Sequence, residues 1–232
     1  QPVEAERDPE FARAAREVQS TTFIAHVRFA STGAKTVLNT HPFEQRGRLF
    51  AHNGVIEDLP ALEARLGSAR ALVAGDTDSE RFFALLTSEI DGRGDVAQGI
   101  QAASHWVAEN LPLFSINFVL TTATDVWALR YPDAHELYVL ERAAGGGEDG
   151  RPLEHCSKMG TRVHSDEACG RPVVVVASEP MDSDPGWGLL RSGELLHVPA
   201  TLAVESKVVL EGPPAHQLTL ADLHPDAAQS QA

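Results

Sequence analysis

Three segments in the early part of the chain carry groups that suit the binding of a small zwitterion. Arg28 presents a planar guanidinium whose paired N–H groups fit a carboxylate. Asp78 offers an anion for an ammonium group. The pair Asn53-Gly54 offers a side-chain amide and a backbone N–H, which together suit a developing oxyanion. An α-amino acid with a side-chain amide matches these groups, and other ligands with the same charges satisfy the chemistry as well.

Sequence patterns place two of these groups where predicted strands end. Residues 21–29 (TTFIAHVRF) are rich in β-branched and apolar side chains, which predicts a buried strand that delivers Arg28 and then Ser31. Residues 48–51 predict a second, short strand. The pair Asn53-Gly54 follows it and is a strong turn signal, because glycine tolerates positive φ.

The third group is predicted at the start of a helix. Thr77 and Glu80 have the spacing of a capping box, and apolar residues follow them at helical spacing. Asp78 would then lie in the first helical turn, beside backbone N–H groups that have no partner within the helix.

Each group also has a purely structural interpretation. Arg28 could be an ion-pair partner of Asp78, Asp78 could serve only its own helix terminus, and Asn53-Gly54 could be a plain hairpin turn. These alternatives stay open at the level of the residues.

Four motifs in order resemble the glutamine-binding motifs of class II glutamine amidotransferases, which are N-terminal-nucleophile hydrolases. The motifs are HVRFAST, NTHPF, AHNG and TDSE, and the later stretch VVVVASEPMDSDPGWG resembles stand-alone bacterial members. The resemblance covers residues 23–199. It implies an α+β fold, a four-layer αββα sandwich with antiparallel sheets, here lacking its first strands.

The resemblance also implies roles for individual residues. Arg28 would hold the α-carboxylate of glutamine and Asp78 its α-ammonium, while Asn53 and Gly54 would form the oxyanion hole. Ser31 and His41 would lie at the glutamine pocket. His41 could instead brace its loop. No cofactor and no metal are implied.

The start of the chain departs from the family pattern. The family's nucleophile is a cysteine at the mature N-terminus, whose own α-amino group acts as general base, whereas this sequence begins with Gln1. We therefore expect the nucleophilic cysteine upstream of the sequence given. Three functions follow: hydrolysis of free glutamine as a glutaminase or amidotransferase, hydrolysis of a larger γ-glutamyl compound as in the ergothioneine-pathway member, or non-catalytic glutamine binding.

Composition narrows the class of partner. The net charge of −14 argues against nucleic acid and anionic membrane surfaces, so we expect a small-molecule ligand. No apolar run reaches transmembrane length. Two cysteines provide no disulfide framework, which favours a cytoplasmic location. The sequence leaves a homodimer open.

The rest of the chain predicts one domain over residues 1–211 and a tail over 212–232. Residues 143–172 are glycine-rich and charged, which indicates an exposed insertion that could form a hairpin. Its potential metal ligands match no zinc spacing, and the end of the tail is predicted to be disordered. Those ligands are His155, Cys156, His164 and Cys169. Further helices are predicted at 10–20, 58–66 and 95–110, a meander of antiparallel strands at 113–121, 125–131 and 135–142, a central buried strand at 173–177, and strands at 194–198 and 202–210.

Overall fold

A computed structural model describes residues 9–26, 36–145, 153–156, 162–165 and 170–231. The helices are α1 (Pro9–Glu17), α2 (Leu59–Leu66), α3 (Asp78–Arg93), α4 (Val96–Asn110) and α5 (Pro225–Gln231). The strands are β1 (Phe43–Gln45), β2 (Arg48–Ile56), β3 (Leu113–Thr121), β4 (Val126–Arg130), β5 (Tyr138–Arg142), β6 (Leu153–Cys156), β7 (Arg162–Ser165), β8 (Val173–Ala177), β9 (Gly188–Leu189), β10 (Glu194–Val198) and β11 (Glu205–Val208).

A six-stranded antiparallel sheet in the order β1-β2-β3-β4-β10-β11 forms the centre of the molecule. Helices α3 and α4 cover one face of this sheet through the main apolar core. Phe50 of β2 stacks on Phe83 of α3 with 4.8 Å between ring centroids, and Phe118 of β3 packs edge-on against Phe82 at 5.9 Å. Such aromatic pairs strengthen a core beyond their buried area.

A second, three-stranded antiparallel sheet in the order β8-β5-β9 lies on the other face. Val139 and Val176 pack there in one cluster with Ala128 and Leu196 of the large sheet. The described residues thus supply a helical layer and two sheet layers. They confirm the predicted α+β class with antiparallel sheets.

Two strand predictions are wrong in their sheet partners. Strand β5 does not continue the meander next to β4, because β10 pairs along the whole of β4 and Pro132, just after β4, has no N–H to donate. Strand β8, predicted to be central and buried, is half-buried and lies at the edge of the small sheet as far as the described strands show.

The strand predicted at 21–29 is not present in its described part. Residues 21–26 have no regular structure, and Phe23 is 65% exposed, so its apolar side chain finds no core here. A strand is stable only where a neighbour pairs with its backbone or a core covers one face. Residues 27–29 lie outside the described ranges.

The predicted helices are present, although α1 ends at Glu17 and not at residue 20. Two of them begin at aspartate caps that were not predicted from the sequence. Asp58 accepts a hydrogen bond from the Ala61 N–H at the start of α2, at 3.2 Å, and Asp95 accepts one from the Gln98 N–H at the start of α4, at 2.8 Å. Within the described ranges, no helix is long and apolar enough to cross a bilayer.

The end of the chain differs from the predicted disordered tail. Residues 225–231 form α5, and Ala227 is buried in a cluster with Val55 and Phe114. Short polar helices are stable when a tertiary contact covers their apolar side. In the 143–172 region, β6 and β7 pair as an antiparallel hairpin, while Cys169 lies outside the described residues.

Gly99 permits the close crossing of α3 and α4, and this predicts a matched pair of variants. A Cβ at Gly99 would lie 2.4 Å from the Ile90 Cα, so Gly99→Ala should lower the free energy of unfolding by about 1–3 kcal/mol. Gly92→Ala meets nothing within 4 Å and should be neutral or stabilising by up to about 1 kcal/mol. Urea unfolding measures both, and equal effects would contradict this packing.

Candidate functional site

Asn53 and Gly54 lie inside β2, so the predicted turn is wrong. Asn53 pairs with Asn117 of β3, and Gly54 pairs with Ile116. The glycine serves a close approach of two strands: a Cβ on Gly54 would lie 1.8 Å from the carbonyl oxygen of Ser115. Residues in a strand that lack a side chain often mark such an approach.

Alternation along β2 places its polar residues on two faces of the sheet. The His52 ring contacts Phe82 of α3, with 5.9 Å between ring centroids, so His52 faces the helical layer. Asn53 therefore faces the small sheet. Its side chain is half-buried, and its amide forms no hydrogen bond with any described residue. This amide is available to a ligand.

Asn117 pairs with Asn53 and binds the segment that follows β4. Its Nδ2 donates to the carbonyl oxygens of His135 and Glu136, at 3.3 and 3.4 Å, and its Oδ1 accepts from the Tyr131 N–H at 2.8 Å. Directly opposed residues in an antiparallel pair have Cβ atoms about 4.5–5.5 Å apart. Both polar atoms of the Asn117 amide thus have partners within the protein, and these bonds fix the segment 131–136 beside the strand pair.

Asp78 begins α3 and is 4% exposed. Its Oδ2 accepts a hydrogen bond from the Ile56 N–H at 2.9 Å, which ties the helix start to the end of β2. Its Oδ1 accepts no hydrogen bond from any described residue. The interpretation that Asp78 serves only its own helix terminus is wrong, because the carboxylate bonds across to the strand that carries Asn53.

Thr77 is the N-cap of α3, as predicted, with its Oγ1 accepting from the Glu80 N–H at 3.2 Å. The reciprocal half of the capping box is absent among the described contacts. The Glu80 carboxylate instead accepts from the N–H groups of Ala74 and Gly75, at 2.9 and 2.7 Å. Glu80 therefore shapes the loop that precedes the helix.

His41 lies in a buried loop close to the HVR motif. Its ring centroid is 4.4 Å from that of His26 and 4.6 Å from that of Phe43. Asn39 of the same loop exchanges hydrogen bonds with Asp76, its Oδ1 accepting from the Asp76 N–H at 3.1 Å. The loop is thereby bonded to the residues that precede α3. The ring contacts of His41 are consistent with a role in bracing this loop.

Arg28 and Ser31 lie outside the described residues, so their roles stay predictions. The structure brings Asn53, Gly54 and Asp78 together along β2 and its end. It also shows a polar network that sequence reasoning missed, formed by His52 with Ser79 and Ser115. The only signal in the sequence was that His52 and Ser79 are adjacent to the predicted site residues Asn53 and Asp78. No spacing rule connects His52 with Ser79.

Both histidines near Asn53 have lowered pKa values. Burial lowers the pKa of His52, and the negative charge of Asp78 opposes this only in part. Burial also lowers the pKa of His135, whose Nε2 lies 2.7 Å from Oε1 of Gln231 in α5. The neutral form of each ring is therefore favoured in the folded protein.

The fold agrees with the comparisons to known proteins. A family model described as class-II glutamine amidotransferases matches residues 4–209. The chain belongs to this family. A solved structure of a glutamine aminotransferase class-II domain protein from Silicibacter pomeroyi covers 93% of this chain and 85% of its own, with a TM-score of 0.57 and 24% identity.

Larger enzymes share the same domain fold. The glutamine phosphoribosylpyrophosphate amidotransferase of B. subtilis covers 81% of this chain and 35% of its own, with a TM-score of 0.53 and 18% identity. This likeness confirms the predicted N-terminal-nucleophile hydrolase fold. The glutamine–fructose-6-phosphate aminotransferase of Chlamydia pneumoniae is 40% identical over 67 residues, which are 28% of this chain and 11% of that protein. This chain spans 11% to 59% of the curated relatives it matches first.

The lowered histidine pKa values predict how stability depends on pH. Between the unfolded pKa of about 6.5 and the lower folded values, the unfolded chain binds more protons, so stability is full above about pH 6.5 and falls as pH decreases. The slope should reach at most about 1.4 kcal/mol per pH unit for each histidine. Urea unfolding between about pH 7.5 and 5.5 measures this slope.

Two variants test the assignment of this slope. His52→Phe should reduce it, because the buried titrating group is gone, whereas the exposed His216→Gln should retain it. An unchanged slope in His52→Phe would show that other groups carry the pH dependence.

Proposed function

We propose that this chain binds glutamine and supports hydrolysis of its side-chain amide, with a nucleophilic cysteine supplied upstream of Gln1. The observation that carries the proposal is the buried carboxylate of Asp78, which accepts a hydrogen bond from the Ile56 N–H of β2 through one oxygen only. The same strand carries Asn53, whose side-chain amide forms no hydrogen bond with any described residue. A ligand ammonium group would donate to the second oxygen of the Asp78 carboxylate, and a developing oxyanion would accept a hydrogen bond from the Asn53 amide.

The spacing along β2 suits glutamine in length. Asn53 and Ile56 are three residue steps apart along β2, an advance of about 10 Å. Extended glutamine spans about 5 Å from its carboxamide carbon to its α-nitrogen by standard bond lengths. The remainder of about 5 Å is close to the length of two hydrogen bonds of about 2.9 Å each. Arg28, on a different segment, would hold the α-carboxylate and so fix the third point.

The proposed reaction transfers the γ-glutamyl acyl group twice, first from nitrogen to the cysteine sulfur and then from sulfur to water. A cysteine thiolate attacks the carboxamide carbon, and the oxyanion is stabilised by the Asn53 amide and the Gly54 N–H. The α-amino group of the cysteine, with an ordinary pKa of about 7.7–8.0, passes the thiol proton to the leaving nitrogen, which departs as ammonia. Water then attacks the γ-glutamyl thioester, which releases glutamate and the thiol.

Two other functions use the same groups. A larger γ-glutamyl compound would present the same head to Arg28, Asp78 and Asn53 while a different leaving group departs. A non-catalytic module would bind glutamine and stop there. Sequencing upstream of Gln1 and assaying the full-length protein with a panel of γ-glutamyl amides separate these functions: a start without cysteine, serine or threonine would leave binding alone.

Asp78→Asn tests the ammonium site without removing the structural bond, because the asparagine oxygen still accepts from the Ile56 N–H. By calorimetry, the wild type should bind glutamine about 10–100-fold more tightly than glutaramate, which lacks the α-ammonium. Asp78→Asn should bind both weakly and equally. Asp95→Asn, a matched change at the N-cap of α4, should retain the preference. A retained preference in Asp78→Asn would overturn the assignment.

Arg28→Ala tests the carboxylate clamp. Loss of a charge-assisted, bidentate contact should raise the dissociation constant for glutamine by about tenfold or more. Arg46→Ala, which removes an exposed arginine paired with Asp91, provides a control with the same change of charge. Equal affinities in Arg28→Ala and the wild type would exclude the clamp.

A further inference from the structure

His52 occupies the space between the start of α3 and the pair of strands that carries the oxyanion groups. Its ring is 3% exposed. Nδ1 lies 2.9 Å from Oγ of Ser79, and Nε2 lies 3.3 Å from the carbonyl oxygen of Ser115. The mechanism above uses none of these atoms.

The partners of the ring fix its protonation. A carbonyl oxygen only accepts, so Nε2 carries the proton and donates to Ser115. Nδ1 is then an acceptor, and the Ser79 hydroxyl donates to it. The Ser115 hydroxyl in turn donates to the carbonyl oxygen of Asn53 at 3.2 Å. A directed set of hydrogen bonds thus links the residue after Asp78 to the peptide between Asn53 and Gly54.

The ring also limits where Gly54 can lie. Nε2 is 2.9 Å from the position that a Gly54 Cβ would take, and the Ser115 carbonyl oxygen is 1.8 Å from it. The glycine therefore rests on the imidazole and the β3 backbone without room for a side chain. A shift of the ring would shift the Gly54 peptide, whose N–H is proposed to stabilise the oxyanion.

We propose that His52 is a positioning residue, which holds the Asp78 end of α3 and the Asn53-Gly54 peptide at the separation that one glutamine requires. This inference rests on the proposed function. It differs from a role in packing alone, in which the ring would serve only its contacts with Phe50 and Phe82.

The first test uses the full-length protein and its kinetics with glutamine. His52→Phe keeps an aromatic ring and loses both hydrogen bonds, and Ser79→Ala removes only the donor to Nδ1. We expect His52→Phe to lower kcat about 10²-fold and Ser79→Ala to lower it about tenfold, since a misplaced oxyanion donor costs rate. His52→Gln, which keeps a donor for Ser115, should recover at least tenfold over His52→Phe. Ser104→Ala is the control, because Ser104 is buried and its hydroxyl forms no hydrogen bond with any described residue.

A folded His52→Phe variant with wild-type kcat and KM would overturn the inference. If the wild type itself fails to hydrolyse glutamine, the proposed function fails, and the positioning role is then read from amide resonances. Ser79→Ala should shift the Gly54 and Asn53 backbone amide signals, whereas Ser104→Ala should leave them unchanged. Unshifted signals in Ser79→Ala would show that the network does not connect the two segments.

Discussion

The hydrogen bond from the Ile56 N–H to the Asp78 carboxylate sets the arrangement of the whole site. A buried carboxylate is costly unless hydrogen bonds and opposite charge compensate it. Thr77 caps α3, which leaves Asp78 free to reach the end of β2, and the positive end of the helix favours an anion there. One oxygen remains without a donor among the described residues. The fold therefore positions a carboxylate that the described residues satisfy through one oxygen only, which supports the proposal that it binds an ammonium group.

The close approach of β2 and β3 at Gly54 complements this bond. Turn propensity is a local signal, and it led to the wrong prediction of a turn at Asn53-Gly54. In the structure, glycine is required at this position because the carbonyl oxygen of Ser115, distant in the sequence, occupies the space that a Gly54 side chain would need. Asn53 consequently faces the small sheet from within a strand. A strand interior holds a side chain more rigidly than a turn does, and this favours precise placement of an oxyanion donor.

Local chemistry explains which features were predictable from the sequence. Capping by Thr77 and the bounds of β3 follow from side chains a few residues apart, and both are confirmed. The placement of β5 depends on which strand pairs with the free edge of β4. That strand is β10, which is distant from β4 in the sequence. The His52 network is also non-local, as is the contact of α5 with Val55. The motif residues were predicted through family resemblance, while the connections that hold them in place were not.

The neutrality of His52 has a consequence for the charge balance of the site. A protonated imidazole beside Asp78 would supply the positive charge that a ligand ammonium would otherwise provide. Burial lowers the pKa of His52 and so favours the neutral ring, although Asp78 pulls in the opposite direction. Asp78 forms no ion pair with any described residue. The desolvation that favours the uncharged imidazole therefore leaves the carboxylate without a positive partner among the described residues, as the proposed binding of an ammonium group requires. The same ring, through Ser115, is linked to the peptide whose N–H is proposed to stabilise the oxyanion.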